Sequence, residues 1–219
     1  LYRSSINEYN NQNNRFLTVL DQQISHFLIH PEEELKLIEN TIENTSKKGN
    51  IYDEVNFILK RFDYINRVEY IGKDGNIINT FPKDDSMIGF DYSRNPIYTI
   101  ASKNNSKKIY YGTTFVDPID EKITMPITIK TSKGNYLVGY LDLLTLKKSI
   151  KEIDFQSSIY TILDKKGSYI VYPEDSYVKE RRVNDIFNLI ENDKVDNGDI
   201  VRHNNKLYTL QFKKVKSTG

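Results

Sequence analysis

Two stretches of this chain are laid out alike, and that repetition constrains the fold more than any single motif. In the first, residues 67–71 and 77–81 alternate in polarity on either side of Gly72-Lys-Asp-Gly-Asn76. In the second, residues 159–164 and 169–172 flank a turn holding Lys165, Lys166, Gly167 and Ser168. Gly167 stands where Gly75 stood, and Pro173 closes the second strand as Pro82 closes the first. A glycine-bearing turn between two runs of period two marks a β-hairpin. The pattern predicts an α+β chain: a long N-terminal helix followed by two lobes, each with a central antiparallel sheet.

Upstream of the first hairpin the period is helical. Phe16, Val19, Leu20, Ile24, Phe27 and Leu28 recur at spacings of three and four, which predicts one buried stripe. Residues 7–14 are polar all round, as in a stalk. Pro31 followed by Glu32, Glu33 and Glu34 predicts a break and a fresh helix start, since proline suits a first turn and acids suit the positive end. Leu35, Leu37, Ile38 and Ile42 form the expected buried face of that second helix, which Lys47-Lys-Gly49 closes. Tyr52, Val55, Ile58, Leu59 and Phe62 predict a third helix ending near Tyr64. Beyond the first hairpin come a loop and short helix over 86–102, strands over 108–115, 123–131 and 136–143, and a helix carrying Leu143, Leu144, Leu146, Ile150 and Ile153. Beyond the second come a helix over 183–190 and a hairpin of 200–203 with 206–215 across Asn204-Asn205. The expected divisions are 1–48 (helical), 49–150 (first lobe) and 151–219 (second lobe, lacking its last strand). The chain starts at Leu1 and stops at Lys-Ser-Thr-Gly219, so it reads as a piece of a longer protein.

Composition narrows the function classes. With 31 Lys and Arg against 30 Asp and Glu, the chain has no bulk field to draw it to nucleic acid. The absence of cysteine excludes thiol nucleophiles, iron–sulfur clusters and disulfides. Sixteen Tyr and ten Phe, with no Trp, predict a core of rings that carry hydroxyls. The apolar runs are only a few residues long, against the ~20 of a spanning helix. No nucleophile elbow, phosphate loop or zinc-protease motif is present. His26 and His30 share a helix face without a third ligand, and Asp193, Asp196 and Asp199 around Gly198 read as a polar turn, not an EF-hand. Asn44-Thr-Ser matches a glycosylation acceptor. No metal or cofactor is expected.

Four segments carry a resemblance to a known family. They are Ile88-Gly-Phe-Asp-Tyr-Ser-Arg-Asn-Pro-Ile-Tyr98, Ile109-Tyr-Tyr-Gly-Thr-Thr114, Met125-Pro-Ile-Thr128 and Val138-Gly-Tyr-Leu-Asp-Leu143. In order and spacing, over essentially the whole chain, they resemble the double Cache sensors, PAS-like extracytoplasmic modules of bacterial and archaeal receptors. The resemblance implies two Cache-like lobes, with a small ligand in the membrane-distal one. It also implies flanking transmembrane helices outside this sequence, a homodimeric full-length receptor, and output to a cytoplasmic histidine kinase, diguanylate cyclase or chemoreceptor domain. Family members that bind amino acids grip the carboxylate with an Arg-x-Trp-Tyr run and the ammonium with a later Asp. Aligned on Tyr98, the Arg slot here holds Asn95, the Trp slot Ile97 and an upstream Tyr slot Phe90, while Tyr98 and Asp142 remain. Arg94 lies one residue from the lost fork, whose bidentate grip made carboxylate recognition strong.

The expected site therefore lies between the loop bearing Asp91, Tyr92, Arg94 and Asn95 and the strands bearing Tyr110, Thr128, Tyr140 and Asp142. Phe90 and Ile97 are its expected walls, and the ligand an amine, an amino acid or a small carboxylate. Two readings of Asp142 stay open: anchor for a ligand amine, or N-cap of the helix starting at Leu143. Each tyrosine likewise reads either as core or as pocket lining. The alternative function is a small-molecule hydrolase using a carboxylate pair such as Asp142 with Asp91.

Overall fold

The computed structural model describes residues 2–44, 50–103, 109–118, 121–151 and 159–215. The elements run α1 (Tyr2–Asn44), α2 (Ile51–Phe62), β1 (Ile65–Ile71), β2 (Ile77–Phe81), α3 (Pro96–Lys103), β3 (Ile109–Tyr111), β4 (Phe115–Val116), β5 (Ile123–Lys130), β6 (Tyr136–Asp142), α4 (Leu143–Lys151), β7 (Ile162–Leu163), β8 (Tyr169–Val171), α5 (Asp175–Lys179), α6 (Phe187–Glu191), β9 (Ile200–His203) and β10 (Lys206–Thr209). The chain divides into two compact units: residues 27–145 form one, and residues up to 26 with those from 146 to 217 form the other.

Pro31 does not break α1, contrary to the sequence expectation. Its missing N–H removes one intrahelical bond, at a cost of about 3 kcal/mol. The reason α1 continues is its apolar face: Phe27, Leu28, Pro31, Leu35 and Ile38 are all buried on one unbroken stripe. Val19 and Leu37, expected inside, fall off that stripe and are exposed. α2 starts on an Asn50 cap, whose side chain accepts the Tyr52 N–H, and ends where Asp63 turns left-handed.

The 27–145 unit is built on one antiparallel sheet of order β2-β1-β6-β5-β3, with β4 also paired to β5. Strand alternation puts Tyr136, Val138 and Tyr140 on one face and Leu137, Gly139 and Leu141 on the other. α1 covers the second face. A Cβ on Gly139 would lie 2.9 Å from a Leu35 methyl, so glycine is what lets the helix sit this close. Polar contacts fix α1 there: Tyr111 donates to Glu32, the Ser132 N–H to Glu39 (2.7 Å) and the Ser132 hydroxyl to Glu43. The strand expected over 108–115 is two, β3 and β4, separated around Gly112. Opposite Gly112 stands Pro126, which accepts its N–H (2.8 Å) but has none to return to the ladder.

The other unit holds two small antiparallel pairs among the described residues, β7-β8 and β9-β10. The helix expected over 183–190 is only α6, because Val183 bridges Ser168 and the Asn184 side chain accepts the Ile186 N–H. The strand expected over 206–215 stops at Thr209, where Leu210 turns to bond Asp199 and Gly198. The one expected over 159–164 is reduced to β7. Asp193 and Asn205 lie in turns with positive φ. Lys47, Lys48 and Gly49, Thr45 and Ser46 of the acceptor sequence, Lys108, Ile153 and the terminal Lys-Ser-Thr-Gly219 fall outside the described residues.

The internal repeat is visible in the backbone. Gly75 N–H bonds Gly72 O (2.9 Å) and Gly167 N–H bonds Asp164 O (2.9 Å), both glycines having positive φ. Tyr92 N–H reaches Gly75 O, and Asn184 N–H reaches Gly167 O, each at 2.8 Å. Isolated bridges join Asn76 to Asp91 and Ser168 to Val183.

Candidate functional site

The sheet face left uncovered by α1 carries a ring cluster. Tyr98 and Ala101 of α3, Tyr110 of β3, and Tyr136, Val138 and Tyr140 of β6 are buried together with Ile71 and Ile77. Tyr92, Ile97 and Phe115 pack against them. α3 is aimed at this face by its own start: Asn95 Oδ1 accepts the Ile97 N–H (2.9 Å) just ahead of Pro96 at the first helical position. Tyr98 then meets Tyr136 edge-on at 5.1 Å and donates its hydroxyl to Lys73 O (2.9 Å).

Beside the rings lies a charged group that the sequence reading did not single out. The Arg67 guanidinium stands 3.9 Å over the Tyr140 ring centroid, and its Nη1 donates to Asp117 Oδ2 at 2.5 Å. Its Nε is 3.5 Å from Glu69 Oε1. Tyr140 donates to Glu69 Oε2 (2.7 Å), which leaves its oxygen to accept from Tyr92, 3.0 Å away. The Glu69 side chain is only 3% exposed. Burial pushes its carboxyl above the ordinary value, against the opposing pull of the Tyr140 hydrogen bond and the Arg67 charge. Burial and the Glu69 charge push the Tyr92 phenol up to about 12, and the same two causes hold the Tyr140 phenol well above its usual range. Burial works against the Arg67 charge, but Tyr140, Glu69 and Asp117 around it raise its pKa. The result is a largely buried polar network beside aromatic faces, suited to recognition through hydrogen bonds and ring stacking.

The structure brings Tyr92, Ile97, Tyr98, Tyr110 and Tyr140 into this one cluster, and buries Thr128 in β5 opposite Tyr110. Asn95 is engaged in capping its helix. Asp142 accepts the Leu144 N–H (2.8 Å) at the start of α4 and lies 3.4 Å from Lys122 Nζ, so it has the geometry of an N-cap. Asp91 accepts the Ser93 N–H (2.8 Å), and that hydrogen bonding holds its carboxyl below the usual range. Phe90 (55% exposed) and Arg94 lie on the surface. Asp91 sits by Asn76, at the Tyr136 end of the sheet, whereas Asp142 ends β6 six residues further along. About 20 Å of strand separates the two levels, too far for a working carboxylate pair. Arg67 and Glu69 escaped notice because alternate charged positions in a strand read as a wet face, and Asp117 because an acid beside Pro118 carries no sign of burial. The usable signal was a fully charged pair on the same parity as Ile71, a residue of the core face. Among the described residues no group of three or more His, Asp or Glu is placed to hold a metal ion.

No family model matches the sequence, and no curated protein matches it significantly. Solved structures do. The ligand-binding domain of the Pseudomonas fluorescens chemoreceptor CtaA, in complex with L-isoleucine, superposes with a TM-score of 0.65 at 17% identity, over 94% of this chain and 86% of that one. The sensory domain of the Campylobacter jejuni chemoreceptor Tlp3, with isoleucine bound, gives 0.62 at 15% identity, again over 94% and 86%. An extracellular ligand-binding receptor from Desulfohalobium retbaense gives 0.63 at 11% identity; 87% of this chain covers 36% of that one. At these identities the likeness is one of fold: the chain has the architecture of chemoreceptor ligand-binding domains, as the Cache resemblance implied.

Proposed function

We propose that this chain is the extracytoplasmic ligand-sensing domain of a transmembrane receptor, with residues 49–150 as the membrane-distal, ligand-binding lobe and residues 151–219 as the proximal one. The observation that carries the reading is the network of Arg67, Glu69, Tyr92, Asp117 and Tyr140 on the sheet face away from α1, in a chemoreceptor-domain fold. A small polar ligand enters beneath α3, with Tyr98, Tyr110 and Thr128 behind it and Asp91, Arg94, Phe90 and Ile97 at the rim. Asn95 and Asp142 act on it through the helix starts they cap. Buried phenols and carboxylates hydrogen-bonded to one another are groups for holding a molecule, and no step of bond breaking is assigned to them. The module is a non-enzymatic sensor that reports to a kinase, cyclase or chemoreceptor output domain as a homodimer anchored by helices outside this sequence. No helix among the described residues is long and apolar enough to cross a membrane.

A thermal-shift screen of the 219-residue chain against amines, amino acids and small carboxylates tests this. A ligand at 100 times its Kd adds about 2.7 kcal/mol to stability. The hit should lose at least tenfold in affinity to Tyr140→Phe by calorimetry, the loss of one charge-linked hydrogen bond. Unchanged affinity in that variant would move the site elsewhere, and no hit among any of the three classes would end the sensor reading.

A further inference from the structure

Glu34 lies in the buried stripe of α1, beside Leu35, and is 1% exposed. Neither of its carboxylate oxygens makes a hydrogen bond of normal geometry, although the Tyr64 backbone N–H lies near enough to favour its charge. An ionised carboxylate in that position would be strongly disfavoured, so the group is held as the neutral acid. Its surroundings form one corner of the 27–145 unit. From the α2–β1 connection come Asp63, the left-handed residue that ends α2, and Tyr64. One turn back on α1, His30 stacks on the Tyr64 ring with centroids 5.2 Å apart and pairs with Glu33 at 3.8 Å, while Phe27 meets the same ring edge-on at 5.6 Å. From the end of β6, the Asp142 N–H donates to Tyr64 O at 2.9 Å, and the Asp142 side chain is held by Leu144 and Lys122.

We propose that Glu34 is a proton-binding site, separate from the ligand cluster and on the opposite face of the sheet, through which the domain responds to pH. The proton itself is the ligand. Burial raises the carboxyl from 4.5 to about 8; the backbone N–H of Tyr64 opposes the rise and the Asp63 charge adds to it. Below that pH the neutral acid lets α1 lie against the α2–β1 connection. Above it a charge appears inside an apolar stripe, facing Asp63, and the seat of α1 is weakened. The sign follows from proton linkage: a carboxyl whose folded pKa is raised binds more protons in the native state. Its contribution is therefore full below pH 4.5 and is lost as pH rises through about 8. The ligand network plays no part in this site, so the two can fail independently.

Glu34→Gln keeps the shape and removes the charge. A carbon-13 titration of the 219-residue chain, with the resonance identified by its loss in E34Q, should give a midpoint near 8. From pH 6 to 9 the Tm of wild type should fall relative to that of E34Q, and amide exchange over residues 27–44 should quicken in wild type alone. A Glu34 resonance titrating near 4.5, or parallel Tm curves for the two proteins, would overturn the proposal. Glu34→Met guards against a misfolded glutamine variant, because its Tm should be equally insensitive. A pH-dependent loss that persists in both variants would also overturn it.

Discussion

Residues 72–95 and residues 164–187 share the backbone hydrogen bonds of the glycine turn, of the isolated bridge and of the helix start, in the same order, and differ only in the stretch between (84–90 against 174–182). They part company at one side chain. Tyr92 in the first copy reaches the sheet face and bonds Tyr140. Asn184, its counterpart, is used up locally: its oxygen accepts the N–H groups of Ile186 and Phe187, and its amide donates to Tyr169 at 2.9 Å. In the first copy the helix start is handled instead by Asn95, three residues further on, which frees position 92 to point inward. A repeated frame thus carries a cluster of rings and charges in one place and a self-satisfied turn in the other. The backbone supplies the fold, and where the capping group is placed decides which copy leaves a side chain free to reach the sheet.

The largest expected effect tests the charged side of that contrast. Arg67→Met should cost roughly 3–5 kcal/mol in chemical denaturation, because it strands Asp117 and Glu69 without their cation. A loss under 1 kcal/mol would show that the network is solvated and that the first copy owes it nothing. Next come the two glycines. Gly75→Ala and Gly167→Ala should each cost about 1–3 kcal/mol, since both require positive φ. An added Cβ would also lie 2.9 Å from the Ser93 side chain in one case and 2.5 Å from the Phe187 ring in the other. Costs differing several-fold would break the equivalence of the frames. The smallest effects separate the two side chains. Asn184→Ala should destabilise by about 1–3 kcal/mol, by leaving buried partners unmade, and Tyr92→Phe by only about 0.5–1.5 kcal/mol. Ligand affinity should respond in the reverse order, which calorimetry with a screened ligand can check.

The two repeated hairpins were legible in the sequence because each depends on a glycine at a backbone conformation other residues resist. The single helix was not, because local rules at Pro31 pointed to a break while the deciding interaction was burial of residues on both sides of it. Site residues divided the same way. The aromatic members of the cluster were legible from their density around the family-like segments. Arg67, Glu69 and Asp117 were not, because only pairing across four strands shows that they lie inside. For Asp142 the sequence left two roles open, and its bond to the Leu144 N–H favours the cap.

The acidic contacts of α1 have a mechanical consequence. Glu32, Glu39 and Glu43 make three contacts at two places, the Tyr111 hydroxyl of β3 and the N–H and hydroxyl of Ser132 just beyond β5, like teeth engaged in a rack. Sliding the helix by one residue would advance it only ~1.5 Å but rotate it ~100°, disengaging all three teeth at once. Intermediate positions are therefore poor, and travel of α1 along the sheet is quantised toward whole turns of ~5.4 Å, which return the same face to it. A helix geared in this way answers a graded push with a step.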